Sequence, residues 1–152
     1  MLINDPPLLD LLRKLNHFGV HYMIIGGIAV NFYGYHRHTA DCDIWYDPSI
    51  DNIRNLIKSL EAAGFDIFEL TEDRLQSQAI TITENQPVTL MPVFALADPF
   101  NIAFQRAIKI EFEDTFAYFI HLEDLIENKK RSGRLKDLAD AEELSKIHHR
   151  KS

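Results

Sequence analysis

Two glycines and two aspartates are the residues whose types and spacing can do chemistry in this sequence. Gly26-Gly27 follows the apolar run Val20-His21-Tyr22-Met23-Ile24-Ile25. Without Cβ atoms, such a pair lets a phosphate approach the backbone, and a helix beginning there offers unpaired N–H groups and a positive dipole end. Taken alone, Gly-Gly is equally a tight turn. Asp41 and Asp43 stand two apart at the start of a second apolar stretch, Asp43 to Tyr46. Strand side chains alternate, so both carboxylates project from one face, ~6–7 Å apart along the chain. Like charges held that close repel unless a cation lies between them. Oxygen ligands on one face suit Mg²⁺ (or Mn²⁺), with phosphate oxygens and water as the remaining ligands. A lone Asp-x-Asp reads as a polar turn entering a strand; one short helix after Gly-Gly, the metal reading is favoured.

The residues around this pair have more than one use. Arg37 can meet a phosphate, an acceptor group or Asp41 itself. Thr39 reads as a turn hydroxyl. His36 and His38 read as surface residues, because no cysteine or carboxylate stands at zinc-ligand spacing from them. Cys42 alternates with the aspartates and is expected in the core. Far along the chain, Lys129, Lys130, Arg131, Arg134 and Lys136 concentrate positive charge. Lys130 and Arg131 read as a solvated helix end complementing the dipole, and Lys129 and Arg134 as contacts for a triphosphate. Asp137 and Asp140 are three apart on one helical face and are expected to orient Arg134 or Lys136 or to cap the last helix. Phe32, Tyr33, Tyr35, Trp45 and Tyr46 could stack on a base but read better as core.

These residues need elements to position them. Leu8, Leu9, Leu11, Leu12 and Leu15 recur at helical spacing between an Asp5 cap and Gly19. Residues 20–25 and 43–46 read as buried strands, and 28–33 as a helix ending at Gly34. Asp47-Pro48-Ser49 leads into a helix over 50–63 with Gly64 as C-cap. Phe65 to Leu70 reads as a further strand. Residues 79–83 and 88–94 read as a hairpin around 84–87, and Asp98-Pro99 opens a short helix to about Arg106. Residues 107–112 pair with 116–119, and from Leu122 the chain is helical, broken at Ser132-Gly133. Interleaved strands and helices predict one α/β (α+β) domain over 1–147, with a mixed sheet, a helical C-terminal end and a frayed basic tail at 148–152.

Bulk properties narrow the class. A chain of 152 residues, 46% of them hydrophobic, suits one domain whose core needs no disulfide or structural metal. Its composition excludes collagen-like, disordered and disulfide-scaffold readings. No apolar run nears the ~18–20 residues of a membrane span, and the opening MLINDPPLLDLL has no basic stretch ahead of an apolar core, so no secretory leader is expected there. A single cysteine fits a reducing, cytoplasmic setting. Sixteen basic against 23 acidic residues give a net charge of −7, so bulk DNA binding is not expected. A nucleotide carried with a metal remains compatible.

The two charged regions together resemble the nucleotidyltransferase superfamily with the DNA polymerase beta-like fold, most of all its small bacterial branch of minimal nucleotidyltransferases and AbiEii-type proteins. In that branch a strand ends in Gly-Gly, followed by a helix and then Gly-x-x-Arg-x-Thr-x-Asp-x-Asp. Gly26, Gly27, Gly34, Arg37, Thr39, Asp41 and Asp43 match position by position. Leu125 to Asp140 resembles the closing element, a helix ending in Lys followed by Gly-Arg-x-Lys-Asp-x-x-Asp, so the likeness spans roughly residues 20–145.

The resemblance implies a mixed sheet flanked by helices. It also implies Mg²⁺-dependent transfer of a nucleoside monophosphate from an NTP to a hydroxyl on a protein or RNA acceptor, in a toxin–antitoxin or abortive-infection context with a partner toxin. Asp41 and Asp43 would be the catalytic metal ligands, and Gly26, Gly27, Arg37, Thr39, Lys129 and Arg134 would hold the nucleotide. A third carboxylate is implied on a neighbouring strand, where Pro87 to Val93 instead offers Thr89, with Glu84 as a substitute in another register. Threonine is a poor base, so a second reading stands beside the enzyme: an impaired module that binds nucleotide or a partner protein.

Overall fold

A computed structural model describes residues 5–83 and 87–151. In chain order the elements are α1 (Pro6–His17), β1 (Tyr22–Ile25), α2 (Gly26–Phe32), β2 (Cys42–Tyr46), α3 (Ile50–Ala62), α4 (Glu72–Ser77), β3 (Ile80–Ile82), β4 (Val88–Met91), α5 (Phe100–Gln105), β5 (Ile108–Phe112), β6 (Thr115–Phe119), α6 (Leu122–Ser132) and α7 (Leu135–Lys151). The six strands form one mixed sheet in the order β3-β4-β2-β1-β6-β5. β1 runs antiparallel to β2 and parallel to β6, while β2 runs parallel to β4. The two hairpins, β3–β4 and β5–β6, close the flanks. The expected α/β class, with helices flanking the sheet and a helical C-terminal end, is what the chain adopts.

The central strands are buried throughout: Tyr22 to Ile25 and, in β2, Cys42, Ile44, Trp45 and Tyr46. One sheet face meets α1, α3 and α4. On it the Tyr22 hydroxyl donates to Asn16 of α1 (3.1 Å) and the Tyr46 hydroxyl to the Leu75 carbonyl of α4 (2.6 Å). Asn52 of α3 fastens this layer to the sheet ends: it accepts from the His21 amide and donates to the His21 and Asp47 carbonyls. Asp43 and Trp45 alternate onto the other face, where Phe100 of α5 sits edge-on to Trp45 at 5.2 Å and α6 and α7 close over Asp43.

One expected strand is absent. Residues 65–70 spend their backbone donors locally: the Phe65 amide on Leu60, the Phe68 amide on the Asp66 carboxylate, and the Leu70 amide on Ile67. A strand needs those groups for a ladder, so the expected strand became a turn. The short helix α4 follows it, capped by the Thr71 hydroxyl accepting from the Arg74 amide. α2 starts at Gly26, two residues earlier than expected, and β4 ends at Met91, before Pro92, which lacks the donor to continue. α7 continues to Lys151, past the expected fraying point at His148, which lies 3.3 Å from Glu123. Of the expected turn at 84–87, residues 84–86, Glu84 among them, lie outside the described residues. No helix among the described residues is long and apolar enough to cross a membrane.

Candidate functional site

β1 and β2 run antiparallel with Ile25 opposite Asp43, so the end of β1 delivers Gly26 beside the aspartates. Gly26 has φ +67°, a left-handed conformation that costs other residues energy. A Cβ there would fall within the Asp43 carboxylate, and one on Gly27 would fall against the Thr39 hydroxyl. The glycine pair therefore makes room for Asp43 and Thr39 as well as thinning the backbone for a ligand. Thr39 in turn donates to the Asp41 carbonyl (3.3 Å), the turn role expected of it.

A cleft of about 410 Å³ opens here, and its walls include Gly26, Gly27, Arg37, Thr39, Asp41, Asp43, Lys129 and Arg134. All eight candidate residues are thus gathered from two stretches far apart in the chain. His38, Ala40, Lys136 and Asp137 complete the wall.

Three cations of the wall form a continuous chain with two carboxylates, Asp137 in the wall and Asp140 behind it. Arg37 grips Asp140 with both ends of its guanidinium fork, Nε to Oδ1 at 3.0 Å and Nη2 to Oδ2 at 2.9 Å. Asp41, one of the partners open to Arg37 in the sequence, is not the one it takes. Buried Lys129 lies 3.1 Å from both Asp137 and Asp140. Asp137 also accepts from the Ser132 hydroxyl and, at 2.9 Å, from Arg134 Nε. Asp140 is 1% and Asp137 4% exposed; carboxylates so deep persist only when paired. Asp137 orients Arg134, one of its expected partners, but the other cations the pair holds are Lys129 and Arg37 and not the expected Lys136. The bond from Asp140 to Arg37, 103 positions away, has no signal in local pattern. The side chain of Arg134 is 80% exposed, which leaves it open to a ligand, whereas Lys129 has two of its three donors already engaged.

Burial, and then the neighbouring Asp41 charge, push the Asp43 carboxyl above its ordinary range, while Lys129, a hydrogen bond from Thr89 and Lys136 pull it back. Thr89 pairs with Asp43 across β2 and β4, so it does occupy the strand position beside the acid. There it donates to Asp43 and shares a 3.1 Å hydroxyl contact with Thr81. Asp43 lies on β2, whereas Asp41 stands one residue before the strand begins, so the expected shared strand face is not the arrangement found. Both line the cleft, and one carboxylate destabilised in its ionised form by the other is chemistry that a hard divalent cation with phosphate and water oxygens would relieve. Among the described residues no group of three or more His, Cys, Asp or Glu is placed to hold a metal, so within them a cation here would rest on these two carboxylates and on ligand and water oxygens.

The bland readings also find their places. His36, His38, Lys130 and Arg131 are exposed. Cys42 is fully buried, and that burial pushes its thiol up and out of use as a nucleophile. Tyr33, Trp45 and Tyr46 are core, and Phe32 stacks on Phe119 at 4.1 Å. No protein-family model matches this chain, and no curated protein matches it either.

Proposed function

We propose that the chain is a nucleotidyltransferase with the DNA polymerase beta-like fold, of the minimal nucleotidyltransferase and AbiEii-like branch. It would move a nucleoside monophosphate from an NTP to a hydroxyl on a protein or RNA acceptor. The supporting observation is the single cleft in which the glycine pair, the aspartate pair and the cations of α6 and α7 meet. In this reading Gly26 and Gly27 let the phosphates lie against the backbone, and Arg134 and Lys136 neutralise charge that builds on the leaving pyrophosphate. Lys129 and Arg37, pinned by Asp137 and Asp140, set the field behind them. The acceptor oxygen bonds to the α-phosphorus as the bond to the α,β-bridging oxygen breaks, and the hydroxyl proton passes to water. A divalent cation held by Asp41 and Asp43 would supply electrostatic stabilisation and orient the phosphates. A reducing, cytoplasmic setting and a partner toxin belong to the same proposal.

Thr89 favours a second reading, a module that binds nucleotide or a partner protein without turnover, since it cannot take the acceptor proton. The two part in one assay: labelled ATP, GTP, CTP or UTP with Mg²⁺ and cell lysate, beside an Asp41→Ala/Asp43→Ala control. Label on protein or RNA with the unaltered chain alone supports transfer; metal-dependent binding without label supports the module. Thr89→Asp should raise any transfer rate by about tenfold or more, within the ~10²–10⁴-fold reach of general-base help.

A further inference from the structure

On the face of β2 that carries Asp43 lies a second, larger hollow, about 670 Å³, bounded by Trp45, Asp47, Pro48, Phe94, Asp98 and Phe100. Its chemistry is opposite to that of the cleft. Three aromatic rings and three prolines make its walls, Val93 stands 70% exposed at its lip, and no lysine or arginine lines it. Its charges are Asp47, whose Oδ1 accepts from the Ser49 amide, and Asp98. Nearby Arg106 is shared between Asp98 and Asp124, and Glu127 accepts from the Ala97 amide behind the loop. Among the described residues, Trp45 Nε1 is the one buried side-chain polar atom without a hydrogen-bond partner. An unpaired buried donor is costly, and an occupant that shifts Phe94, 4.8 Å from the indole, would expose it to an acceptor.

We infer that this hollow seats the acceptor of the proposed transfer, and that the acceptor is a protein segment presenting an aromatic or apolar side chain beside a lysine or arginine. The inference rests on the nucleotidyltransferase reading for its role, but on the hollow alone for its ligand. Apolar walls with two carboxylates attract such a segment and repel a phosphate backbone. Asp43 and Trp45 are two apart on one strand face, ~6–7 Å. A hydroxyl one or two residues from the anchored side chain spans that gap, at ~3.3–3.6 Å per residue of extended chain.

The chain has one tryptophan, so the single indole N–H resonance of the ¹⁵N-labelled protein reports on this wall alone, without nucleotide or metal. N-acetyl-Arg-Tyr-Arg-amide should shift it saturably and bind about tenfold tighter than N-acetyl-Glu-Tyr-Glu-amide. Asp47→Asn/Asp98→Asn should erase that preference. Val93→Lys, at an exposed position that folding does not need, should weaken the arginine peptide about threefold or more. An unmoved indole, equal binding of both peptides, tyramine binding as tightly as the arginine peptide, or an oligouridylate that moves the indole would each overturn the assignment. Peptide binding without label transfer in the lysate assay would sink the transferase reading and keep the hollow's ligand. Transfer onto RNA with the indole unmoved would do the reverse.

Discussion

Asp43 and Asp137 sit in one cleft and are pushed in opposite directions. A carboxyl held above its ordinary range binds its proton more tightly in the folded state. Its contribution therefore favours folding most below about pH 4 and is lost as pH rises through the folded value. At neutral pH the Asp43 charge is a burden, so Asp43→Asn should melt a few degrees higher in EDTA, about 2–4 °C for each kcal/mol relieved. Millimolar Mg²⁺ should stabilise the unaltered chain and leave Asp43→Asn unmoved; thermal melts in which the variant is weaker, or still responds to Mg²⁺, would refute the metal assignment. For Asp137, burial pushes up, but the Ser132 hydroxyl, Lys129 and Arg134 together outweigh it and bring the carboxyl down to about 2. Its stabilisation is complete above pH ~4 and is lost as pH falls toward 2. Denaturant titrations across that window should show a slope that Asp137→Asn lacks.

Two elements carry the site, and each depends on a contact that a strand or helix does not supply by itself. The β1–α2 junction needs Gly26 twice, for its left-handed backbone and for the space taken by Asp43. Gly26→Ala should cost about 1–3 kcal/mol in backbone strain alone and, by displacing the carboxylate, should abolish the Mg²⁺ response; a melt that keeps both would show that the glycine is only a turn. α7 acts as a lock, since Asp140 holds Arg37 of the loop between α2 and β2 and Lys129 of α6 at once. Asp140→Ala strands Arg37 and leaves Lys129 with Asp137 alone, and urea unfolding should record a loss of about 3–5 kcal/mol. Removing a solvated cation such as Lys130 should change stability by less than about 0.5 kcal/mol.

At the scale of the whole molecule, the sheet joins the parts. β2 lies between β1 and β4 and carries Asp43 on the same face as Trp45, so cleft and hollow share one strand. α6 ties the two as well: Lys129 lines the cleft, while Glu127 and Asn128 hold the 92–98 loop through the Ala97 amide (2.8 Å) and the Ala95 carbonyl (3.1 Å). A single core running through all these elements predicts one cooperative transition. Trp45 fluorescence and far-UV circular dichroism should trace the same urea curve, and a separate early Trp45 transition would mean that the hollow unfolds on its own.

Much was written into local pattern. Burial periodicity placed the central strands and the long helices, glycine marked the helix ends at 19, 34 and 64, all left-handed in the fold, and residue type and spacing, together with the family resemblance, picked out eight of the twelve residues that line the cleft. These are short-range consequences of backbone sterics and of apolar surface seeking cover. Other features were not legible there. Residues 65–70 look like a strand, but whether one forms depends on a neighbour to pair with. Arg37 had three plausible partners and took a fourth, because only the packing of α7 brings Asp140 within reach. That Thr89 would stand beside Asp43 was implied only by the family resemblance, and the register of β2 on β4 decided it. Pairing between distant segments is settled by which buried charges and ladders the whole fold can satisfy together, a condition that no stretch of sequence contains by itself.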